Sequence, residues 1–419
     1  MNIYLRTTTI FLLTAFVLLP FAQEKIVVWG VPLYLLEGII IGAAISFALH
    51  ISTRKDFVGA WDPWALRGIL LILFGITASF LLNPFSLTGL GMLKSWLFFP
   101  VLAFFLFHRL SLESFGRVPY LVAWLVACII LASFSGASFL SQMLTFDGRL
   151  FFPYNSPNFL AVMVAPGMLL SAFFFLEFSR KQKRSFWNLL CLLLFLFFSC
   201  VLFGTRSYGT WIATGVSLLF LLGMSFWEKK KKFFWLSVGS IIVLVLGVLF
   251  VESGSAKWHS LITFDERSSA SSRIMIWNSA VRIGTEHPFF GIGIGRFQEE
   301  YLGHQKYFPP YLEWAVPQPH NIFLAFWLQG GVLGLIGFLV LLWRSFLLLF
   351  QDIRKRNAET FYTSIFLFSA LLFFVVYGLF DTPYFKNDLA FLFWALIAFS
   401  VQTKKLPKAV SEKHTIKER

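Results

Sequence analysis

Apolar runs long enough to cross a bilayer recur along almost the whole chain, and no other feature restricts the fold so strongly. About 17–25 apolar residues span the ~30 Å hydrocarbon layer as a helix. Within lipid every backbone donor and acceptor needs a partner inside the protein, which leaves helices or a closed barrel. A barrel requires segments of about ten residues that alternate in polarity, and the chain has none. The runs predict helical spans at about 4–22, 31–52, 66–83, 87–107, 119–137, 158–178, 186–203, 207–226, 233–251, 319–350, 361–380 and 387–402. Composition agrees: of 419 residues, 58% are hydrophobic and only 13% charged. The expected fold is an all-α polytopic membrane bundle of about twelve transmembrane helices, with one large extracytoplasmic loop that contains short helices. Residues 1–251 hold the first nine spans, 252–318 the loop, 319–402 the last three spans and 403–419 a basic tail.

Basic clusters orient these spans. Arg54-Lys55, His108-Arg109 with Arg117, Arg180-Lys181 with Lys183-Arg184, Lys229 to Lys232, Arg354-Lys355-Arg356 and Lys404-Lys405 fall on one side when the spans alternate. Positive charge concentrates on the cytoplasmic side, so both termini and the basic tail are expected in the cytoplasm. The net charge of +14 follows mostly from this bias, which brings some attraction to anionic lipid with it; it calls for no nucleic acid. The opening "MNIYLRTTTIFLLTAFVLLPFAQ" reads as an uncleaved first span rather than a signal peptide. Cys128, Cys191 and Cys200 lie inside predicted spans and imply no disulfide framework.

The segment 252–318 is too long for a structureless connector in a compact protein. "SSASSRIMIWNSAVRIGTEHPFFGIGIGRFQEEY" (268–301) begins with Ser-rich capping chemistry and continues through Ile274, Ile276, Trp277, Ala280, Val281 and Ile283 at roughly helical spacing. It predicts an amphipathic helix over about 272–286 at the outer membrane–water boundary, with its apolar face against the bundle. Pro288 and the glycines at 291, 293 and 295 end it. "GIGIGRF" follows a helix and a Pro-Phe-Phe turn, not a strand, so it is a tight glycine-permitted turn rather than a nucleotide loop.

The positive-inside bias does not explain the cations on the opposite side: Arg149, Arg206, Lys257, Arg267, Arg273, Arg282, Arg296 and Lys306. Arg206, in "LFGTRSYGTW", sits in a short turn between two spans, close to hydrocarbon, where an unpaired charge is expensive. Arg273 is four positions before Trp277, on one helix face. His320 stands at the lip of the span that begins near 319, with Asn321 beside it. Two guanidiniums suit a diphosphate, because each offers a planar fork of donors. An imidazole suits proton exchange with a hydroxyl. Asp147, Asp265, Glu266 and Asp381 are alternative bases on that side. No Asp-x-Asp pair and no clustered His/Cys/carboxylate set supports a metal site, and no cofactor is expected.

"GTRSYGTW", "SRIMIWNSAVRIGTEHPFFGIGIGRF" and "HNIFLAFWLQGGVLG", in this order, resemble the O-antigen ligase and polymerase superfamily. "FFPYNSPNFLAVMVAPG" (151–167) resembles that family's Asn-Pro-Asn-x-x-Ala element, with Ser156 intervening. The resemblance covers roughly residues 150–390. It implies a GT-C-like, metal-independent inverting glycosyltransferase that moves a glycan from an undecaprenyl diphosphate carrier to a hydroxyl of a lipid or glycan acceptor, at the periplasmic face of the bacterial inner membrane. Arg206 and Arg273 would hold the diphosphate and His320 would act at the reacting centre, with Asn321, Arg296 and Trp277 as further substrate contacts. An O-antigen ligase, with lipid A-core or a similar acceptor, is the first reading. Leu335 follows the glycine pair where ligases often carry Ser or Thr, which moves some weight toward a polymerase of the same superfamily. A protein O-oligosaccharyltransferase and a flippase of lipid-linked sugar are the remaining alternatives. Transport would call for charges deep in the spans, and the predicted spans are nearly free of them.

Overall fold

A computed structural model describes residues 3–28, 31–52, 61–113, 116–180, 186–226, 239, 247, 252–263, 265, 268–307, 316–357 and 359–401. The protein is an all-α polytopic membrane bundle. Among the described residues nine helices are long and apolar enough to cross a membrane, and two shorter apolar helices accompany them. Of the span expected at 233–251 only residues 239 and 247 are described, and the basic tail lies outside the described residues.

In chain order the bundle contains α1 (Ile3–Val17), α2 (Leu35–Ser52), α3 (Pro63–Leu82), α4 (Leu87–Leu93), α5 (Phe99–Glu113), α6 (Val118–Leu140), α7 (Pro157–Arg180), α8 (Phe186–Gly204) and α9 (Tyr208–Phe226). The large loop carries α10 (Ala256–Ile262), α11 (Ser269–Glu286) and α12 (Phe297–His304), and α13 (Ile322–Lys355), α14 (Phe361–Gly378) and α15 (Asn387–Ser400) complete the bundle. Every residue of α15 is buried, as is most of α7. A helix buried all round belongs inside a bundle: α6, α8, α9 and α14 pack on α7, and α5, α13 and α14 pack on α15.

Two expected spans need correction. The one expected at 31–52 begins instead at Leu35, because residues 25–28 and 31–34 pair as an antiparallel hairpin, β1 and β2. The apolar stretch of the hairpin runs straight into α2, so hydropathy alone does not separate them. The span expected at 87–107 is α4 joined to α5 through a wider π-turn at Lys94–Phe98, where the Phe99 amide bonds back to the Lys94 carbonyl. Pro100 lacks an amide of its own, and a π-turn absorbs such an interruption. Lys94 pairs there with the buried Glu37 carboxylate, which Ser95 also meets.

Glycines set the closest packing in the bundle. A Cβ on Gly75 of α3 would come within 2.5 Å of the Gly334 amide nitrogen of α13, and one on Gly337 within 2.7 Å of the Ile72 nitrogen. Small residues allow membrane helices this approach.

At Gly331 α13 breaks, with φ 63° and ψ −169°. The break frees backbone groups inside the bundle, and the turn after α11 satisfies them: the Ile292 amide donates to the Leu328 carbonyl at 2.7 Å, and the Val332 amide to the Pro288 and Phe289 carbonyls at 3.2 Å. The Trp327 indole also donates to Pro288, at 3.1 Å. Gly291, Gly293 and Gly295 all have positive φ. Side chains at Gly291 and Gly331 would overlap the Leu328 and Phe289 carbonyl oxygens respectively. The glycine turn is therefore a plug for a broken helix. Its Gly293 and Gly295 amides are taken by Ser79 and Gln329.

Replacing Gly331 with Ala adds a strained backbone, about 1–2 kcal/mol, to an overlap of about 1–3 kcal/mol. Gly331→Ala should lower the melting temperature in detergent markedly. Gly38→Ala, whose Cβ meets nothing within 4 Å, should leave it near wild type. Equal melting of both variants would refute the plug.

Candidate active site

The site is assembled from the ends of helices and the turns between them. Arg206 ends α8, its amide bonded to the Phe203 carbonyl at 3.0 Å and its backbone in the left-handed region at φ 45°. Helix ends commonly place glycine here, and an arginine accepts a conformational cost of about 1 kcal/mol or more. Its Nε stands 3.6 Å from Glu252 Oε1.

Arg149 reaches the same place from the connection before α7. The Leu150 amide bonds to the Gly204 carbonyl at 2.9 Å, which pins that connection to the end of α8. Arg149 Nε donates to the Thr205 carbonyl at 2.7 Å, and Nη2 to Asn158 Oδ1 at 3.1 Å. Burial lowers the pKa of this guanidinium; Asp147 and Tyr208 oppose the shift, and the nearby charges of Arg206 and Arg273 add to it. Three arginines thus share one electrostatic neighbourhood.

Arg273 enters from α11. This helix starts at Ser269, three residues before the expected start, because the Ser268 hydroxyl accepts from the Ser271 amide as a cap. Met275, Ile276, Ala280 and Ile283 are its buried face, whereas Ile274 and Val281, expected to face the bundle, are exposed. The buried face packs on Ile292, Phe297, Tyr301 and Leu328, a small core of its own. Arg273 Nε donates to the Phe380 carbonyl at 2.8 Å and Nη1 to the Ser269 carbonyl at 2.9 Å. These bonds tie α11 to the turn after α14 and fix the plane of the guanidinium.

A cavity of about 340 Å³ opens among these groups. Arg149 and Arg273 line it with Asn158, Ser207, Tyr208 and Tyr377, and Ile212, Ile274, Trp277 and Phe380 supply its apolar and aromatic wall. Arg206 adjoins the cavity through its neighbours Ser207 and Tyr208.

His320 is outside the cavity lining and is linked to it through Trp277 and, by way of Asp381, through Tyr377. Its backbone is left-handed, at φ 48°, and its carbonyl accepts from the Trp277 indole at 3.1 Å. Imidazole Nδ1 lies 3.0 Å from Asp381 Oδ1. The Thr382 amide donates to the same oxygen at 2.8 Å, and the Tyr377 hydroxyl donates to Oδ2 at 2.9 Å. Burial alone would raise the Asp381 pKa, but the His320 charge and hydrogen bond, the Thr382 amide and the Arg273 charge outweigh it and hold the carboxyl well below the usual range. An ionised carboxylate only accepts hydrogen bonds, so Nδ1 is the donor in this pair.

The structure therefore gathers Arg206, Arg273, Trp277 and His320. Asn321 is beside His320, but its Oδ1 caps α13 by accepting from the Phe323 and Leu324 amides, and its Nδ2 donates to the Leu379 carbonyl at 3.3 Å. Orientation of the imidazole belongs to Asp381 instead. Arg296 is apart from the cavity, paired with Glu299 and Glu300 on its own helix end. Asp147 and Asp265 bond to neighbouring threonines, and Glu266 is outside the described residues. Arg149 was visible in the sequence only as one cation among several. The role of Tyr377 had no signal at all, since a tyrosine near the end of an apolar span is ordinary.

Residues 192–339 match the Wzy_C family model, described as O-antigen ligase. No curated protein matches the chain. Arg206, Arg273, Trp277 and His320 lie within the matched segment; Arg149, Tyr377 and Asp381 lie outside it.

Proposed function

We infer, from the O-antigen ligase segment that this chain carries and from the charges assembled around the cavity, that the protein is a glycosyltransferase moving a glycan from undecaprenyl diphosphate to an acceptor hydroxyl, as an O-antigen ligase does. The observation that carries this reading is the meeting of three guanidiniums with a carboxylate-held imidazole at one end of a membrane bundle. Guanidinium forks match phosphate oxygens and stay charged, and a diphosphate at the rim of a bilayer is most naturally lipid-linked. The aliphatic wall formed by Ile212 and Ile274 suits the start of a polyprenyl chain.

The acceptor hydroxyl oxygen attacks the anomeric carbon from the face opposite the diphosphate, so the new C–O bond forms with inversion. The bond to the diphosphate breaks and its electron pair stays on the leaving group. Arg149, Arg206 and Arg273 stabilise that growing charge from fixed positions. His320 Nε2 takes the hydroxyl proton, and Asp381 stabilises the imidazolium that results. The arginines supply the positive charge at the leaving group, so this mechanism gives a divalent ion no role.

In transfer from purified lipid-linked glycan in detergent, His320→Ala should lose about 10²–10⁴-fold in kcat while still binding donor. Asp381→Asn preserves shape but not charge and should lose at least about tenfold. Arg273→Lys should lose about a hundredfold, with a melting temperature that shows the helix still docked. Full transfer by His320→Ala would remove it from the chemistry. Loss of transfer with chelator, restored by a divalent ion, would overturn the metal-free mechanism. Parallel reactions with a lipid A-core acceptor and with a second lipid-linked glycan separate ligase from polymerase.

The basic clusters support a site on the periplasmic side of the inner membrane, with the N-terminus in the cytoplasm. Cysteines introduced at Met143 and Asn357, at opposite ends of the bundle, should label from outside and from the cytoplasm respectively. The reverse pattern would put the site on the wrong side for its donor.

A further inference from the structure

Outside the imidazole and the three arginines, one buried acid meets two groups of the site at once. Glu252 is 2% exposed and begins the described part of the large loop. Its Oε2 accepts from the Tyr208 hydroxyl at 2.7 Å and from the Ser255 hydroxyl at 3.0 Å, and its Oε1 faces Arg206 Nε at 3.6 Å. Tyr208 lines the cavity and Arg206 is two residues away, on the left-handed turn between α8 and α9. Ser255 in turn caps α10 by accepting from the Trp258 amide, and the Ser255 amide returns to the Glu252 carbonyl at 2.8 Å. The carboxylate is therefore fixed from its own side and offers its remaining edge to the α8–α9 turn.

We propose that Glu252 is a positioning residue for the donor diphosphate: it holds Arg206 beside the cavity and Tyr208 in its wall, and anchors the start of the large loop to the turn that carries them. The inference rests on the glycosyltransferase reading for the identity of the anion, not for the geometry. An arginine on a short turn has many rotamers and loses side-chain freedom when an anion captures it. A carboxylate that already faces Nε at 3.6 Å removes part of that loss before the donor arrives. Burial makes Glu252 suited to this, because a surface partner would be screened by salt and exchange freely. The carboxylate also faces the Arg206 charge when the cavity is empty.

A positioning role makes the effect of Glu252 depend on the residues it holds. Binding of farnesyl diphosphate, measured by titration of the purified full-length protein in detergent, should weaken about tenfold in Glu252→Gln. In an Arg206→Lys background the same substitution should change binding less than about threefold, since the interaction it would break is already impaired. Where Arg206→Lys binds too weakly to measure, Tyr208→Phe supplies the second background. Glu252→Asp, which keeps the charge, should recover part of the affinity. In turnover, Glu252→Gln should raise the donor KM more than it lowers kcat. An equal loss in every background, or an equal loss in Gln and Asp variants with a lowered melting temperature, would make Glu252 a structural residue only and overturn the proposal. Wild-type protein that binds farnesyl diphosphate with this coupling but transfers no glycan would reject the glycosyltransferase reading and leave the role of Glu252 standing. Wild-type protein that does not bind the diphosphate would reject both.

Discussion

The break in α13 is the constraint from which the rest of the site follows. Inside a bilayer a freed carbonyl has no water to turn to, so a helix that opens at Gly331 needs another part of the chain to close it. The turn over residues 288–292 does so through the Ile292 and Val332 amides. That requirement sends the end of α11 into the bundle and fixes its axis. With the axis fixed, Arg273 meets the Phe380 carbonyl and Trp277 meets the His320 carbonyl. A loop of more than sixty residues thus becomes as well positioned as the spans it rests on.

Charge follows a similar economy. The three arginines stand on helix ends or adjoining turns, and each meets backbone carbonyls or an acid. Arg149 takes the Thr205 carbonyl, Arg273 the Phe380 and Ser269 carbonyls, and Arg206 faces Glu252. Groups fixed in this way need little reorganisation when an anion arrives, which is where preorganised sites gain their advantage. Asp381 plays the matching part for His320, and its low pKa keeps it an acceptor throughout.

The spans were legible because lipid imposes a length and a composition that few other environments do. Arg206, Arg273 and His320 were legible because cations and an imidazole near the ends of spans run against the topological bias. What escaped had local chemistry that resembles something commoner. The β1–β2 hairpin is as apolar as the span it adjoins. Asp381 reads from sequence as an alternative base; only the fold, which brings residues 320 and 381 within one hydrogen bond, makes it the partner of the imidazole. The glycines at 291, 293 and 295 announced a turn but not its target, since the amides that bond to Leu328, Ser79 and Gln329 carry no sequence signal. Hydrophobic periodicity reports which face of an element is apolar and says nothing about which carbonyl lies opposite.

The placement of His320 unites these points. A histidine within the hydrocarbon would be desolvated, and one far out in the loop would have no fixed partner. At the residue before the Asn321 cap it lies where α13 emerges, so its carbonyl can be held by Trp277 of the loop and its ring by Asp381 of the neighbouring turn. Three separate parts of the chain must dock before the ring is oriented. The left-handed backbone at this non-glycine position is tolerated because those contacts over-determine it. On the proposed reading the same arrangement fits spans whose centres carry few charges, because an apolar bundle beneath the site does not compete for the charge held at its end.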